Sequence, residues 1–196
     1  MKTIAITALA GLALSATQVA HAGAIGTITN AGFHQERAYY YDRQGKQFIE
    51  NQMRLNKGIG IETLVGDKDE KVQGILRFMW MQDTQPKAPD TDGVLLAESP
   101  DYDALKAKNV GVLGLGGQWG VLGDPMDMQL VVTSLVGSGF ITTDNTEYVL
   151  VEVGVGGTYN LSPTIQATAN LATTMRNRKH ISFGPNMYMG IRYLFD

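Results

Sequence analysis

The chain has 196 residues, 44% hydrophobic and 18% charged, with a formal net charge of −3 and no cysteine. That length suits one domain, the mild acidity gives no reason to expect a nucleic-acid partner, and without cysteine there is neither a disulfide nor a thiol for lipid attachment. With 23 glycines and only 6 prolines, the composition fits many closely packed strands rather than a disordered polymer.

The chain opens with MKTIAITALAGLALSATQVAHA. Lys2, an apolar run from Ile4 to about Ala16, and the small-x-small Ala20-His21-Ala22 have the form of an export signal. The expectation is a signal peptide over 1–22 and one domain over 23–196. The apolar run is shorter than the roughly 20 residues of a spanning helix. No later run is long and apolar enough either.

Beyond residue 22 the dominant period is two. A first strand is expected over 23–33. In 52–65, Met53, Leu55, Ile59, Ile61 and Val65 share one face, against Arg54, Asn56, Gly58, Gly60 and Glu62. In 72–82, Val72, Leu76, Phe78 and Trp80 oppose Gln73, Arg77 and Met79. In 110–122, Leu113, Leu115, Trp119 and Val121 oppose Gly114, Gly116, Gln118 and Gly120. Segment 128–140 is strand-like with no face assigned. In 147–159, Val149, Val151, Val153, Val155 and Tyr159 oppose Leu150, Glu152, Gly154, Gly156 and Thr158. Segment 164–176 sets Ile165, Ala167, Ala169, Leu171, Thr173 and Met175 against Gln166, Thr168, Asn170, Thr174 and Arg176. The last segment groups Met187, Met189, Ile191, Tyr193 and Phe195. Side chains alternate across a strand, so each segment has one apolar and one small or polar face.

These eight segments are joined by tight turns at 66–71, 123–127 and 160–163 and by longer loops at 34–51 and 83–109. The connections at 142–145 and 176–180 are shorter. Short turns at one end and long loops at the other are the asymmetry of an outer-membrane barrel. The segments are long enough to cross a bilayer as tilted strands. Strands in a bilayer must close on themselves, because every backbone N–H and C=O there needs a partner. A soluble sandwich or lipocalin-like barrel would instead carry charges along one face of most strands, and here those faces hold Gly, Thr, Asn and Gln with isolated charges.

The pattern resembles the small eight-stranded outer-membrane barrels of Gram-negative bacteria, the OmpA/OmpX-type class. The resemblance is carried by "YNLSPTIQATANLA" and by the last strand, in which Met187, Met189, Ile191, Tyr193 and Phe195 are similar to that class's C-terminal assembly signal. The class usually ends on the aromatic residue, whereas this chain adds Asp196. The resemblance implies an all-β fold, a closed antiparallel up-and-down barrel of eight transmembrane strands. It also implies an outer-membrane location and recognition of the last strand by the barrel-assembly machinery.

Arg54, Glu62, Arg77, Glu152, Arg176 and Arg192 fall on the inward faces. An eight-stranded interior is about filled by side chains, so they are expected to pair across it as a plugging ion-pair network, with a gated ion path as the competing reading. His34 and His180 are expected at the outer rim of the first and last strands, with Ser182 and Glu36 close by. Were the chain an enzyme, His34, His180 and Ser182 would be its nucleophile–base candidates acting on lipid; the plainer reading is solvated rim residues. In 176–180, Arg176, Arg178 and Lys179 suit lipopolysaccharide phosphates. The acidic 83–109 stretch lacks the closing Glu of a calcium loop, and the glycine stretches lack a phosphate-binding spacing. No metal and no cofactor is expected.

The functional expectation is a non-enzymatic anchor or interaction component of an envelope protein complex, contacting partners through loops 34–51 and 83–109 and surrounded by outer-membrane lipid and lipopolysaccharide. The alternatives are a lipid-modifying enzyme, a narrow channel and a soluble periplasmic binder. N-terminal sequencing of the exported protein should begin at Gly23, and an intact mass that retains residues 1–22 would count against the leader.

Overall fold

The computed structural model describes residues 22–41, 47–84, 108–141, 147–177 and 181–195, and the side chains of most of them. Eight strands follow in chain order: β1 (Ala22–Tyr41), β2 (Gln47–Val65), β3 (Val72–Asp83), β4 (Lys108–Gly123), β5 (Met128–Ile141), β6 (Glu147–Ser162), β7 (Ile165–Asn177) and β8 (Ile181–Leu194). Each pairs antiparallel with its sequence neighbours, and β1 pairs with β8 to close the barrel.

The period-two pattern explains both faces. Leu115 and Met128 are 62% and 64% exposed, whereas Glu62, Arg77, Glu152 and Arg192 are 1–4% exposed. Apolar side chains cover the outside and charges lie within, the reverse of a water-soluble barrel. Such a surface belongs in hydrocarbon, and the closed ladder leaves no unpaired edge there. No helix among the described residues is long and apolar enough to cross a membrane.

The register fixes the barrel's girth. A path across β4 to β1 takes Asn109 to Gln82, Lys57 and Ala31. It continues through Met187, Leu171, Val155 and Val132 and meets β4 again at Trp119. Position 119 against 109 is a stagger of ten residues. Ten over eight strands tilts them by about 40° and leaves an interior only about as wide as the side chains that fill it.

Tight turns join β2 to β3 and β4 to β5 where expected; the one between β6 and β7 is shorter than the expected 160–163, at 163–164, because β6 runs on to Ser162. Gly66 and Gly123 open two of them with φ of 123° and 92°, a conformation that other L-residues resist.

Two expectations change. Residues 34–41 and 47–51 are not loop: the β1–β2 ladder runs on to Tyr41↔Gln47. Tyr39 and Tyr40 are the register partners of Ile49 and Phe48, and aromatic and β-branched residues suit paired strands. Segment 128–140 also acquires its faces, with Gln129, Val131, Thr133 and Leu135 inward and Met128, Leu130 and Val136 outward. Of the 83–109 stretch, Asp83 belongs to β3 and Lys108 to β4, while 85–107 lie outside the described residues. So do 1–21, which hold all but the last residue of the expected leader.

The membrane fraction, run unboiled in SDS, should migrate as a compact species and shift on boiling. A single mobility under both conditions would contradict a closed barrel.

Candidate functional site: the barrel interior

Glu62 on β2 faces Arg77 on β3 as a direct register pair. Arg77 Nε and Nη2 both reach Glu62 Oε2 at 2.6 Å, and Nη1 donates across the interior to Glu152 Oε1 at 2.6 Å. Glu152 Oε2 also accepts from Thr174 Oγ1 at 3.1 Å and from the Tyr188 hydroxyl. The Tyr188 ring lies under the Arg77 guanidinium, 4.4 Å from its centroid, a cation–π contact. Arg77 thus bridges two carboxylates on different strands.

Arg192 completes this group. Gly26 on β1 is the register partner of both Glu62 and Arg192. With no side chain between them, Arg192 reaches Glu62 Oε1 through Nε at 3.1 Å and through Nη2. It also donates to Gln166 at 3.1 Å and Gln118 at 3.3 Å. Gln118 donates to Gln73, and Gln73 donates to the Asp67 carbonyl. A continuous hydrogen-bonded chain therefore ties the ionic centre to the β2–β3 turn.

A second group sits at the loop end. Arg176 Nη1 donates to both Asp83 oxygens, at 3.3 and 3.2 Å, and lies 3.4 Å from His34 Nδ1. His34 Nε2 is 3.9 Å from Asp83 Oδ2. Arg54 is the register partner of His34 and is buried.

Packed with these groups are apolar side chains. Ile28, Met79, Met81, Val110, Val112 and Leu150 belong to one interior cluster, and Ala24, Leu64, Ile75, Leu135 and Leu194 form another. Between the first cluster and Arg77, Glu152 and Arg176 remains a cavity of about 20 Å³, room for about one water. Asn30 donates to Asn56 at 2.8 Å, and Asn186 to Thr174 at 2.8 Å.

Of the six inward charges expected from the sequence, Glu62, Arg77, Glu152 and Arg192 meet in one network. Arg176 pairs with Asp83, and Arg54 lies beside His34 in the register. Asp83, expected in the 83–109 loop, is in phase with inward Arg77, Met79 and Met81, so extending that period by one step locates it. Inward Val131 and Leu135 have no comparable signal, because both faces of that strand read as hydrophobic.

Three expectations about the rim are corrected. His34 is not a solvated rim residue: it is 4% exposed and turned inward, because β1 continues past it and keeps Asn30, Gly32 and His34 in phase. Ser182 is also buried, and among the described residues no hydrogen bond joins it to His34. Arg176 points into the barrel rather than toward headgroups. His180, Arg178 and Lys179 lie outside the described residues. On β8, Met187, Met189, Ile191 and Tyr193 are 49–56% exposed, and Phe195 packs edge-to-face on Tyr193 at 5.3 Å.

No protein-family model matches the chain, and no curated protein matches it in sequence. Among solved structures it is similar to Ail, the attachment invasion locus protein of Yersinia pestis, at 9% identity, covering 88% of this chain and 99% of that one, with a TM-score of 0.43. Neisserial surface protein A is similar at 11% identity, 88% and 99% coverage and a TM-score of 0.41. The de novo designed TMB2.3 gives 13% identity, 89% and 96% coverage and a TM-score of 0.35. Likeness at this level transfers neither activity nor partner.

Removing one partner of a buried pair strands the other charge. Arg77→Met should lower the unfolding free energy by about 3–5 kcal/mol, read as a shift of the urea midpoint of the folded band on unboiled gels. An unchanged midpoint would show that Glu62 and Glu152 do not depend on this guanidinium.

Proposed function

We propose that this chain is a non-enzymatic barrel of the Gram-negative outer membrane that anchors and presents a contact surface to envelope protein partners. The observation that carries the reading is where the ladders stop. β1 pairs with β8 only as far as Gln35, and β2 pairs with β3 only from Asn56. The β1–β2 ladder nevertheless continues to Tyr41↔Gln47. Residues 36–41 and 47–52, paired from Glu36↔Gln52 to Tyr41↔Gln47, thus form a two-stranded ribbon standing clear of the described barrel wall at its loop end.

An isolated two-stranded ribbon is marginal in water. Its free edges offer backbone donors and acceptors to an added strand. The interior, by contrast, is occupied by the Arg77 network and its apolar clusters, which supports work done outside the barrel rather than through it. Export through residues 1–22 and assembly through Met187, Met189, Ile191, Tyr193 and Phe195 belong to the same reading.

A photo-crosslinking amino acid at position 40, introduced in cells, should give discrete higher-mass adducts, and the same group at lipid-facing position 171 should not. Equal adducts at both positions, or none at 40, would overturn the ribbon as the contact surface.

A further inference from the structure

The outward face carries one anomaly. Among the strand residues whose side chains are described, Lys57 is the one charged residue on the outer surface. Its in-phase neighbours on β2 are Leu55 and Ile59, so a slip of face cannot account for it. The described residues supply no ion-pair partner for its ammonium.

Its surroundings are polar on one side. Lys57 is the register partner of Gln82 on β3, and Gln82 of Asn109 on β4, so three outward polar side chains lie in adjacent strands. With Ile59 and Trp80 they line a shallow groove of about 400 Å³. Both apolar residues lie two register pairs nearer the turn end, since Ile59 is the partner of Trp80.

The stagger places this groove in the bilayer. Asn109 and Trp119 are ten residues apart on β4, which at a tilt of about 40° is about 25 Å of height, the thickness of a barrel's apolar band. Trp119 lies toward the short turns, where an aromatic girdle is expected, and Asn109 at the loop end. Each step across strands changes the height by about 3 Å, so Lys57 sits about 6 Å below Asn109, within reach of the outer boundary by its four-carbon stem. An ammonium at that depth meets lipid headgroups before it meets bulk water.

We infer that the Lys57–Gln82–Asn109 groove holds a phosphate of an outer-leaflet lipid headgroup, with Ile59 and Trp80 receiving the first carbons of its acyl chains. The ammonium supplies the counter-charge, and the Gln82 amide beside it is placed to donate to a phosphate oxygen. This rests on the outer-membrane reading above, but it names a surface that reading does not use.

The test is native mass spectrometry of the full mature barrel in detergent, titrated with dioleoylphosphatidylglycerol and, in parallel, with dioleoylglycerol, which lacks the phosphate. Wild type should retain the phospholipid in preference, and Lys57→Gln should bind it about fivefold more weakly, the scale of one exposed ion pair. Lys57→Arg should keep it. Lys71→Gln, which removes an exposed charge beside β3 at the turn end, should leave it unchanged. Equal retention by wild type and Lys57→Gln, or an equal loss in Lys71→Gln, overturns the site. Unboiled SDS gels of the same samples separate the two failures: a heat-shifted barrel without selective retention sinks this inference alone, whereas a protein that never shows the shift sinks the membrane reading with it.

Discussion

The seam between β1 and β8 is the constraint on which the rest of the molecule depends. In hydrocarbon no water can satisfy an open strand edge, so the first and last strands must pair with each other. That pairing runs from Ala24↔Leu194 to Gln35↔Phe183. Because side chains alternate, a slip of one residue there would turn Met187, Met189 and Ile191 inward and Arg192 toward lipid. The seam therefore sets at once the stagger of ten, the tilt, the bore and which side chains meet inside.

The narrow bore explains the interior chemistry. Charges withdrawn from water need close partners, and the bore lets Arg77 on β3 reach Glu152 on β6 directly across the barrel. The same geometry turns a missing side chain into a structural device: Gly26 leaves the gap through which Arg192 reaches Glu62. The network joins β2, β3, β6 and β8, so it is satisfied only when all four strands are in register. Its contribution is less to total stability, where apolar residues of similar volume would serve as well, than to selecting one register among several. The apolar clusters around it fill the remaining volume.

A filled interior shifts attention to the two surfaces the barrel holds up. One is the β1–β2 ribbon, which continues after its neighbours have stopped pairing. The other is the outward line from Lys57 to Asn109, where a polar row interrupts an otherwise apolar face. Both follow from the unequal strand lengths around the loop end, where β1 and β2 run to 20 and 19 residues while β3 has 12.

Much of this was legible in the order of residues. The alternation of Val149, Val151, Val153 and Val155 against Glu152 and Thr158, and of Met187 through Phe195 against Arg192, depends only on a strand's period of two. The sequence by itself thus determined the strands, the faces of six of them, the tight turns and the inward placement of six charges. It misplaced His34, Asp83 and residues 34–41 and 47–51, because a strand running past the apolar band into polar surroundings loses the contrast between faces that marks it. It also could not separate inward Val131 and Leu135 from lipid-facing Leu130 and Val136, since hydrophobicity is the same on both sides of that strand. Which charge meets which was decided by the tertiary structure alone. Arg77 and Glu152 are 75 residues apart and Arg176 and Asp83 are 93 apart, and only the closure and stagger of the barrel bring such distant positions to one level.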